Sequence, residues 1–414
     1  MLFAGALLVA LNAVAAEPLS LEQALRSAFE HNPDLRLASL GLAGAGAAVS
    51  TAGAAPNPTL TLQTFNLNPA AGLGAGSLRN KTIDSTVRLD QLIERGGKRG
   101  FRIDAASRLE QAAQSDVHDA RRQLRLMVSN AYYDLLAADD KLRITRQSAQ
   151  LFEGTVRAAR KRQQAGDLAP ADVARAQVDA LRSRNDIAQA ESDLFAQRQV
   201  LALLMGQADA ANGQPSDSWP SGPLPSADDA ESVLRLRPDV LAAQARVAAA
   251  GAARKLALAS RSADVTLGIQ AEHFPASAGN AQGSGNSYGI ALQVPLLLRH
   301  AYQGEIRAAD VAFDSAEENL DKVRALARSE LLVGAERLRA AHERLRRDDD
   351  ELLPAATKSA DAAEFAFRHG ALGIMDLLDV RRTYRSTQLE ALAAHADYAK
   401  SLAAAQAAAS EGQP

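Results

Sequence analysis

The feature that most restricts how this chain can fold is the stretch from Lys98 to Ala165, which contains no proline and, after Gly100, a single glycine. Within it Leu124, Val128, Ala131, Leu135, Ala138, Leu142, Thr145, Ala149, Phe152, Val156 and Ala159 recur at alternating steps of four and three, a seam about five heptads long. At about 1.5 Å of rise per residue the helix extends for roughly 100 Å. A rod with one narrow apolar stripe cannot bury itself. It must lie along other rods, in a fibrous coiled coil or in a tube of many helices. Aromatic residues are only 4% of the chain and charged residues 23%, which suits helices with thin, small-residue seams.

The rod has a counterpart. Asn32-Pro33-Asp34-Leu35 recurs as Arg237-Pro238-Asp239-Val240 at an offset of 205, and Ala165-Gly166-Asp167-Leu168 recurs as His369-Gly370-Ala371-Leu372 at an offset of 204. Matches at both ends of a half with nearly one offset indicate an internal duplication. A second, more polar seam follows at Leu331, Gly334, Leu338, Ala341, Leu345, Asp348, Leu352, Ala355, Ser359 and Ala362. Residues 207–226, rich in Pro, Gly and Ser, form a linker between the halves. The first repeat is expected over 17–206, with strands near 59–66 and 82–92 and helices over 98–164 and 168–206. The second is expected over 227–410, with strands near 263–271 and 286–295 and helices over 302–368 and 373–410.

The strands are read from period-two alternation. Leu60 and Leu62 alternate with Thr61 and Gln63, and Ile83, Val87 and Leu89 with Asp84, Thr86, Arg88 and Asp90. Val265, Leu267 and Ile269 oppose Asp264, Thr266 and Gln270, while Tyr288, Ile290, Leu292 and Val294 oppose Ser287, Gly289, Ala291 and Gln293. One apolar and one polar face suits a transmembrane barrel; it also suits a half-buried soluble hairpin, and alternation alone does not separate them. Residues 1–16 read as a secretory signal cleaved after Ala15 or Ala16, although a basic n-region is missing and a buried N-terminal helix is the alternative. No later stretch holds about 20 uninterrupted apolar residues, so membrane contact is expected through strands. The formal net charge of −3 gives no reason to expect nucleic acid, and the absence of cysteine excludes disulfides, thiolate metal sites and a lipidated cysteine.

With these residues in place the sequence resembles the TolC-type outer membrane factors of tripartite efflux systems. The duplicated helix, strand, strand, helix order, the Asn32 and Arg237 motifs, the two glycine turns and the linker carry the resemblance across essentially the whole mature chain. Gln91-Leu92-Ile93-Glu94-Arg95-Gly96-Gly97-Lys98-Arg99 resembles the cobalt-zinc-cadmium branch of that family. The resemblance implies a mainly α fold with a small membrane β part, and a homotrimer whose four strands per protomer close a 12-stranded β-barrel continued by a long α-helical barrel. It implies an outer-membrane location with the helices in the periplasm, contact with outer-membrane lipid, a periplasmic adaptor and an RND-type inner-membrane pump as partners, and divalent heavy-metal cations as cargo. Organic drugs or secreted polypeptides are the alternative cargo, and a soluble periplasmic coiled-coil scaffold is the alternative protein.

By the same resemblance Ala165, Gly166, Asp167, Leu168, His369, Gly370, Ala371 and Leu372 inherit adaptor docking at the helical tips. Asp376 and Asp379, three residues apart and so on one helical face, with Asp172 as the first-half equivalent of Asp376, are expected to line the periplasmic gate. Read without the resemblance, the glycines are ordinary helix C-terminal turns and the aspartates first-turn carboxylates favoured by the helix dipole. Phe367 and Leu372 stand where the family has a Tyr and an Arg that help hold the gate shut. No enzyme, cofactor or metal site is expected: Gly96-Gly97-Lys98-Arg99 lacks the rest of a phosphate loop, and no two histidines stand at i, i+4. The cleaner first-half seam marks a fixed wall, and the acidic second-half turn the moving gate.

Overall fold

The computed structural model describes residues 18–67, 83–207, 213–222, 224, 230–275 and 283–409. The signal-like residues 1–16, parts of the linker and the segments 68–82 and 276–282 lie outside them. The described chain runs β1 (Pro18–Leu19), α1 (Leu21–His31), α2 (Pro33–Gly53), β2 (Thr59–Phe65), β3 (Asp84–Ile93), α3 (Lys98–Gln164) and α4 (Pro170–Met205). It continues with β4 (Gln214–Pro215), α5 (Ala230–Leu236), α6 (Pro238–Ala259), β5 (Val265–Phe274), β6 (Gly285–Gln293) and α7 (Gln303–Arg347). A π-helical turn (Asp348–Leu352), α8 (Leu353–Arg368) and α9 (Ile374–Ala409) complete it. Two compact units form, and each draws on both halves of the sequence: Met1–Ser39, Asp116–Pro238 and Arg324–Pro414 make one, Leu40–Ser115 and Asp239–Val323 the other.

In the second unit the strands form one antiparallel sheet in the order β2-β3-β5-β6. The register aligns apolar side chains in rows: Leu60 pairs with Leu89, Leu89 with Ile269 and Ile269 with Ile290, while Leu62, Val87, Ala271 and Tyr288 make the next row. Because side chains alternate faces, the opposite face collects Thr61, Arg88, Gln270 and Gly289 in one row and Gln63, Thr86, Glu272 and Ser287 in another. Gly268 leaves the space that the Arg88–Asp90 ion pair (2.9 Å) occupies, since a Cβ there would meet Asp90 and Arg88. The apolar rows stay open: Leu62 is 69% exposed and Ile290 87%. The edges of β2 and β6 have no partner strand within the described sheet.

Between β3 and α3 the strand-to-helix turn at residues 94–97 leads into cations at the start of α3 that tie down two helix ends. Arg99 donates to the Gly53 carbonyl and Arg102 to that of Ala52, where α2 ends, while Lys98 donates to the Ser262 carbonyl and to Asp264 just beyond α6. Arg99 and Arg102 thereby meet carbonyls that α2 leaves without partners at its C-terminus. Among the described residues α2 is the one helix long and apolar enough to cross a membrane. Its repeat counterpart α6 carries Arg246, Arg254 and Lys255.

In the first unit all the seam positions named for α3, from Leu124 to Ala159, are buried. The second-half seam departs from expectation. Leu338 and Leu345 are buried, but Leu352, Ala355, Ser359 and Ala362 are exposed; Ala363 and Phe367 are buried and Leu353, Ala356 and Ala360 half-buried in their place. The seam has moved on by one residue. The cause is the π turn, in which the Leu353 amide donates to the Asp348 carbonyl five residues back, absorbing one extra residue without breaking the helix. Pro354, at the start of α8, removes an amide that an α-helical turn would have used.

The duplicated motifs end their halves alike. Asn32 donates from Nδ2 to the Leu204 carbonyl at the end of α4 (2.9 Å), and fully buried Arg237 donates to the Ala408 carbonyl at the end of α9 (3.4 Å) and to Glu330 (2.8 Å). The described part of the linker is pinned: β4 pairs in parallel with β1, the Asp217 carboxylate accepts from the Leu21 amide, and Trp219 donates to Asp140. Tyr132 donates to the Leu19 carbonyl, and burial pushes its hydroxyl pKa upward.

Candidate functional site

The two glycine turns are built by the same bonds. At the end of α3 the Asp167 amide donates to the Arg162 carbonyl (2.8 Å) and the Gly166 amide to that of Gln163 (3.0 Å). At the end of α8 the Ala371 amide donates to Ala366 (2.8 Å) and the Gly370 amide to Phe367 (3.1 Å). Both are Schellman closures, which require a left-handed residue after the helix. Gly166 and Gly370 supply it with φ of 84° and 77°, and neither has any atom where a Cβ would point. Backbone conformation, not crowding, is the reason for glycine at both tips.

Of the residues expected at the tips, Ala165, Gly166, Asp167, His369, Gly370 and Ala371 are exposed. Leu168 and Leu372 point the other way, packing on a cluster formed by Phe152, Val156, Val173, Phe367, Ile374 and Leu377. Phe367 is buried there with the Arg162 guanidinium 5.6 Å over its ring. The two positions that depart from the family pattern are therefore core positions here. One turn back, exposed Phe365 lies against the His369 ring, with centroids 4.1 Å apart.

The three aspartates are not gathered into one cluster within a protomer. Asp172 and Asp376 occupy the first turns of α4 and α9, where a helix dipole favours a carboxylate. Asp172 is 4.0 Å from Arg175, and Asp379, with an 81% exposed side chain, is 4.0 Å from Arg382. Asp376 is exposed.

A second group, which sequence reasoning missed, surrounds them. Arg381 of α9 donates to the Leu151 carbonyl (2.5 Å) and the Thr155 hydroxyl of α3 and pairs with Glu364 of α8. Arg382 pairs with buried Asp179 of α4 at 2.5 Å, and Arg385 pairs with Asp186 of α4 at 2.7 Å. Burial pushes the Glu364 carboxyl up, but the charge and hydrogen bonds of Arg381 and Arg368 outweigh it and hold it below the usual carboxylate range. Three guanidiniums on one helix thus fasten α9 to α3, α4 and α8. The signal was present in the sequence, because Asp179 and Asp186 stand one heptad apart and Arg382 and Arg385 one turn apart on facing long helices.

The arrangement contains no nucleophile beside a base. Its chemistry is that of bundled rods fastened by ion pairs; the other unit contributes a sheet with one exposed apolar face. Comparison with known proteins gives the same picture. The chain is 27% identical over 372 residues to the cobalt-zinc-cadmium resistance protein CzcC of Cupriavidus metallidurans, covering 89% of this chain and 84% of that one. It is 26% identical over 305 residues to the pyoverdine export outer membrane protein OpmQ of Pseudomonas putida, covering 71% and 63%. A crystal structure of CusC superposes with a TM-score of 0.77 at 17% identity, covering 94% of this chain and 92% of the other. The family description "Outer membrane efflux protein" matches residues 24–207 and 230–410, both halves and nearly all of the described residues. With a match that spans both repeats, the chain belongs to the outer membrane efflux protein family and is an outer-membrane efflux channel, in keeping with the open apolar face of its sheet.

Proposed function

We propose that three copies of this chain close a 12-stranded barrel and form the exit duct of a tripartite pump for divalent heavy-metal cations. The carrying observation is the likeness to CzcC over most of both chains. The open edges of β2 and β6 support the trimer, since lipid offers no hydrogen bonds to unpaired strand edges and closure removes them. Exposed Val178 and Leu181 on α4 give the neighbouring copy an apolar surface to cover. The exposed tip residues Ala165, Gly166, Asp167, His369, Gly370 and Ala371 dock a periplasmic adaptor, which links the duct to an RND-type pump, while Leu168 and Leu372 shape the tips from beneath.

The gate is formed by α9. Asp376 and Asp379, repeated three times about the axis, make the entrance attractive to cations, with Asp172 adding to the rim. The Arg381, Arg382 and Arg385 bonds replace the polar contacts that Phe367 and Leu372 cannot make, and hold the entrance closed. Transport requires no covalent step, because the energy comes from the pump.

Deleting the gene should sensitise the cell to zinc, cobalt or cadmium and leave dye tolerance unchanged; the reverse pattern overturns the metal assignment. Purified channel in planar bilayers should lose cation preference on Asp376→Ala with Asp379→Ala, and unchanged selectivity removes these residues from the gate.

A further inference from the structure

The apolar stripe of β6 does not stop where the strand stops. Tyr288, Ile290 and Leu292 alternate along the exposed face, and the ladder ends at Gln293, yet the chain stays apolar from Val294 to Leu298, with Val294, Leu296 and Leu298 exposed and Leu297 half-buried. Leu296 is 75% exposed and Leu298 84%. A tight turn in which the Leu298 amide donates to the Leu296 carbonyl (2.9 Å) holds them close together. Arg299, His300 and Tyr302 follow at once. His300 lies against the Tyr302 ring, with centroids 5.0 Å apart, and contacts Glu305 at 3.0 Å, while Arg299 makes no ion pair among the described residues. Tyr302 takes a left-handed φ of 58° to enter α7.

The corresponding exit from β3 is different. There the stripe ends at Ile93, and the next residue is Glu94, held by Arg102 at 2.6 and 3.1 Å. The apolar extension therefore belongs to the β6 exit alone. An exposed leucine pair followed by an unpaired guanidinium and two amphipathic rings matches a lipid interface: leucines suit the acyl boundary, while arginine, histidine and tyrosine suit the phosphate layer.

Resting on the outer-membrane reading above, we propose that the Val294–Tyr302 loop is a membrane-surface anchor that inserts Leu296 and Leu298 into the periplasm-facing leaflet, with Arg299 on phospholipid phosphates. Continuity with the lipid-facing stripe identifies the occupant as phospholipid.

The chain has no cysteine, so single reporters can be placed cleanly. Leu298→Cys, Ile290→Cys and Asp361→Cys trimers would be labelled with bimane and reconstituted in phosphatidylethanolamine and phosphatidylglycerol vesicles carrying nitroxide-labelled lipid. The label at 298 should be quenched by the lipid nitroxide and shielded from aqueous iodide, like that at 290 and unlike that at 361. If 290 is quenched and 298 behaves like 361, the anchor is wrong and the barrel reading survives. If neither 290 nor 298 meets lipid, the membrane reading itself falls. Leu298→Asp should leave the detergent-solubilised trimer intact while weakening iodide shielding of a label at 296; dissociation of the trimer would instead assign the loop to a neighbouring copy and overturn the proposal.

Discussion

The two helical tips share one backbone and differ in how their inner helices are held. Offset by 204, the closures at Gly166 and Gly370 use the same pair of bonds, and Val173 and Leu377 are buried alike at the start of α4 and α9. Yet Arg381, Arg382 and Arg385 of α9 have Gln177, Val178 and Leu181 as their equivalents on α4. At these positions α9 presents charges that bond to α3, α4 and α8, whereas α4 presents apolar side chains, 47% exposed at Val178 and 59% at Leu181, and is tied to α3 elsewhere by Arg184–Glu153, Glu191–Arg146 and Asp193–Lys141. An apolar seam is slow to yield to salt or protons, whereas charge pairs yield to both. In the trimer proposed above, this divergence gives one helix whose contacts at these positions are charge pairs and one whose apolar side chains face a neighbouring copy.

The largest expected effect tests the two rods directly. Removing Gln147 from α3 rotates everything beyond it by about 100°, turning Ala149, Phe152, Val156 and Ala159 out of the core, and should abolish folded trimer. Removing Asp350 from the π turn only converts it to α-helix and leaves Ala363 and Phe367 where they are, so trimer yield should persist. Heat-modifiable mobility on gels reads both. Equal loss in the two variants would break the comparison.

That contrast also shows what was legible. The seams of the two halves are related by an offset of 203 (Leu135 to Leu338, Leu142 to Leu345), whereas the glycine turns are related by 204. One extra residue therefore had to enter between Leu345 and Gly370, and the π turn is where it sits. The heptads, the strand alternation and the repeat made the fold class legible, because each is a periodic demand on a long element. The Arg381 contact was not, because it reaches the backbone of Leu151 from far along the chain, and no periodicity records such a contact. The inward turn of Leu168 and Leu372 was likewise hidden, since a tip residue's sequence neighbours do not reveal which side of the turn it packs on.

Next in size are the bolts themselves. Arg381→Ala removes charge-assisted hydrogen bonds to α3 and α8, each worth about 1.5–3 kcal/mol, and should raise single-channel open probability by tens of fold. Leu181→Ala on α4 should leave open probability near its original value and instead lower trimer stability to detergent. If Leu181→Ala opens the channel as much as Arg381→Ala does, the division between α9 and α4 at these positions is wrong.

A smaller effect is expected from protons. Glu364 is held below the ordinary carboxylate range, so its contribution to the closed state is fully present above the unfolded carboxylate value of about 4.3 and is lost only as pH falls through the lowered native value. Open probability should stay flat from neutral pH to about 5 and rise only under stronger acid. Glu364→Gln should open the channel modestly at neutral pH and remove that acid-dependent rise. A rise already near neutrality would place the responsible group elsewhere.

The smallest expected effect concerns the tips themselves. Gly166→Ala and Gly370→Ala each meet open space but force an L side chain into left-handed backbone, at a cost of about 1–2 kcal/mol. Because the two closures are alike, the two variants should lower thermal stability by nearly the same amount. Their effect on gating should differ, since strain at Gly370 lies at the start of the helix that carries the three arginines, while strain at Gly166 precedes the helix that carries Val178 and Leu181 at the matching positions. Equal gating shifts would mean that both inner helices move together, and the asymmetry between ion pairs and apolar seam would then govern assembly alone.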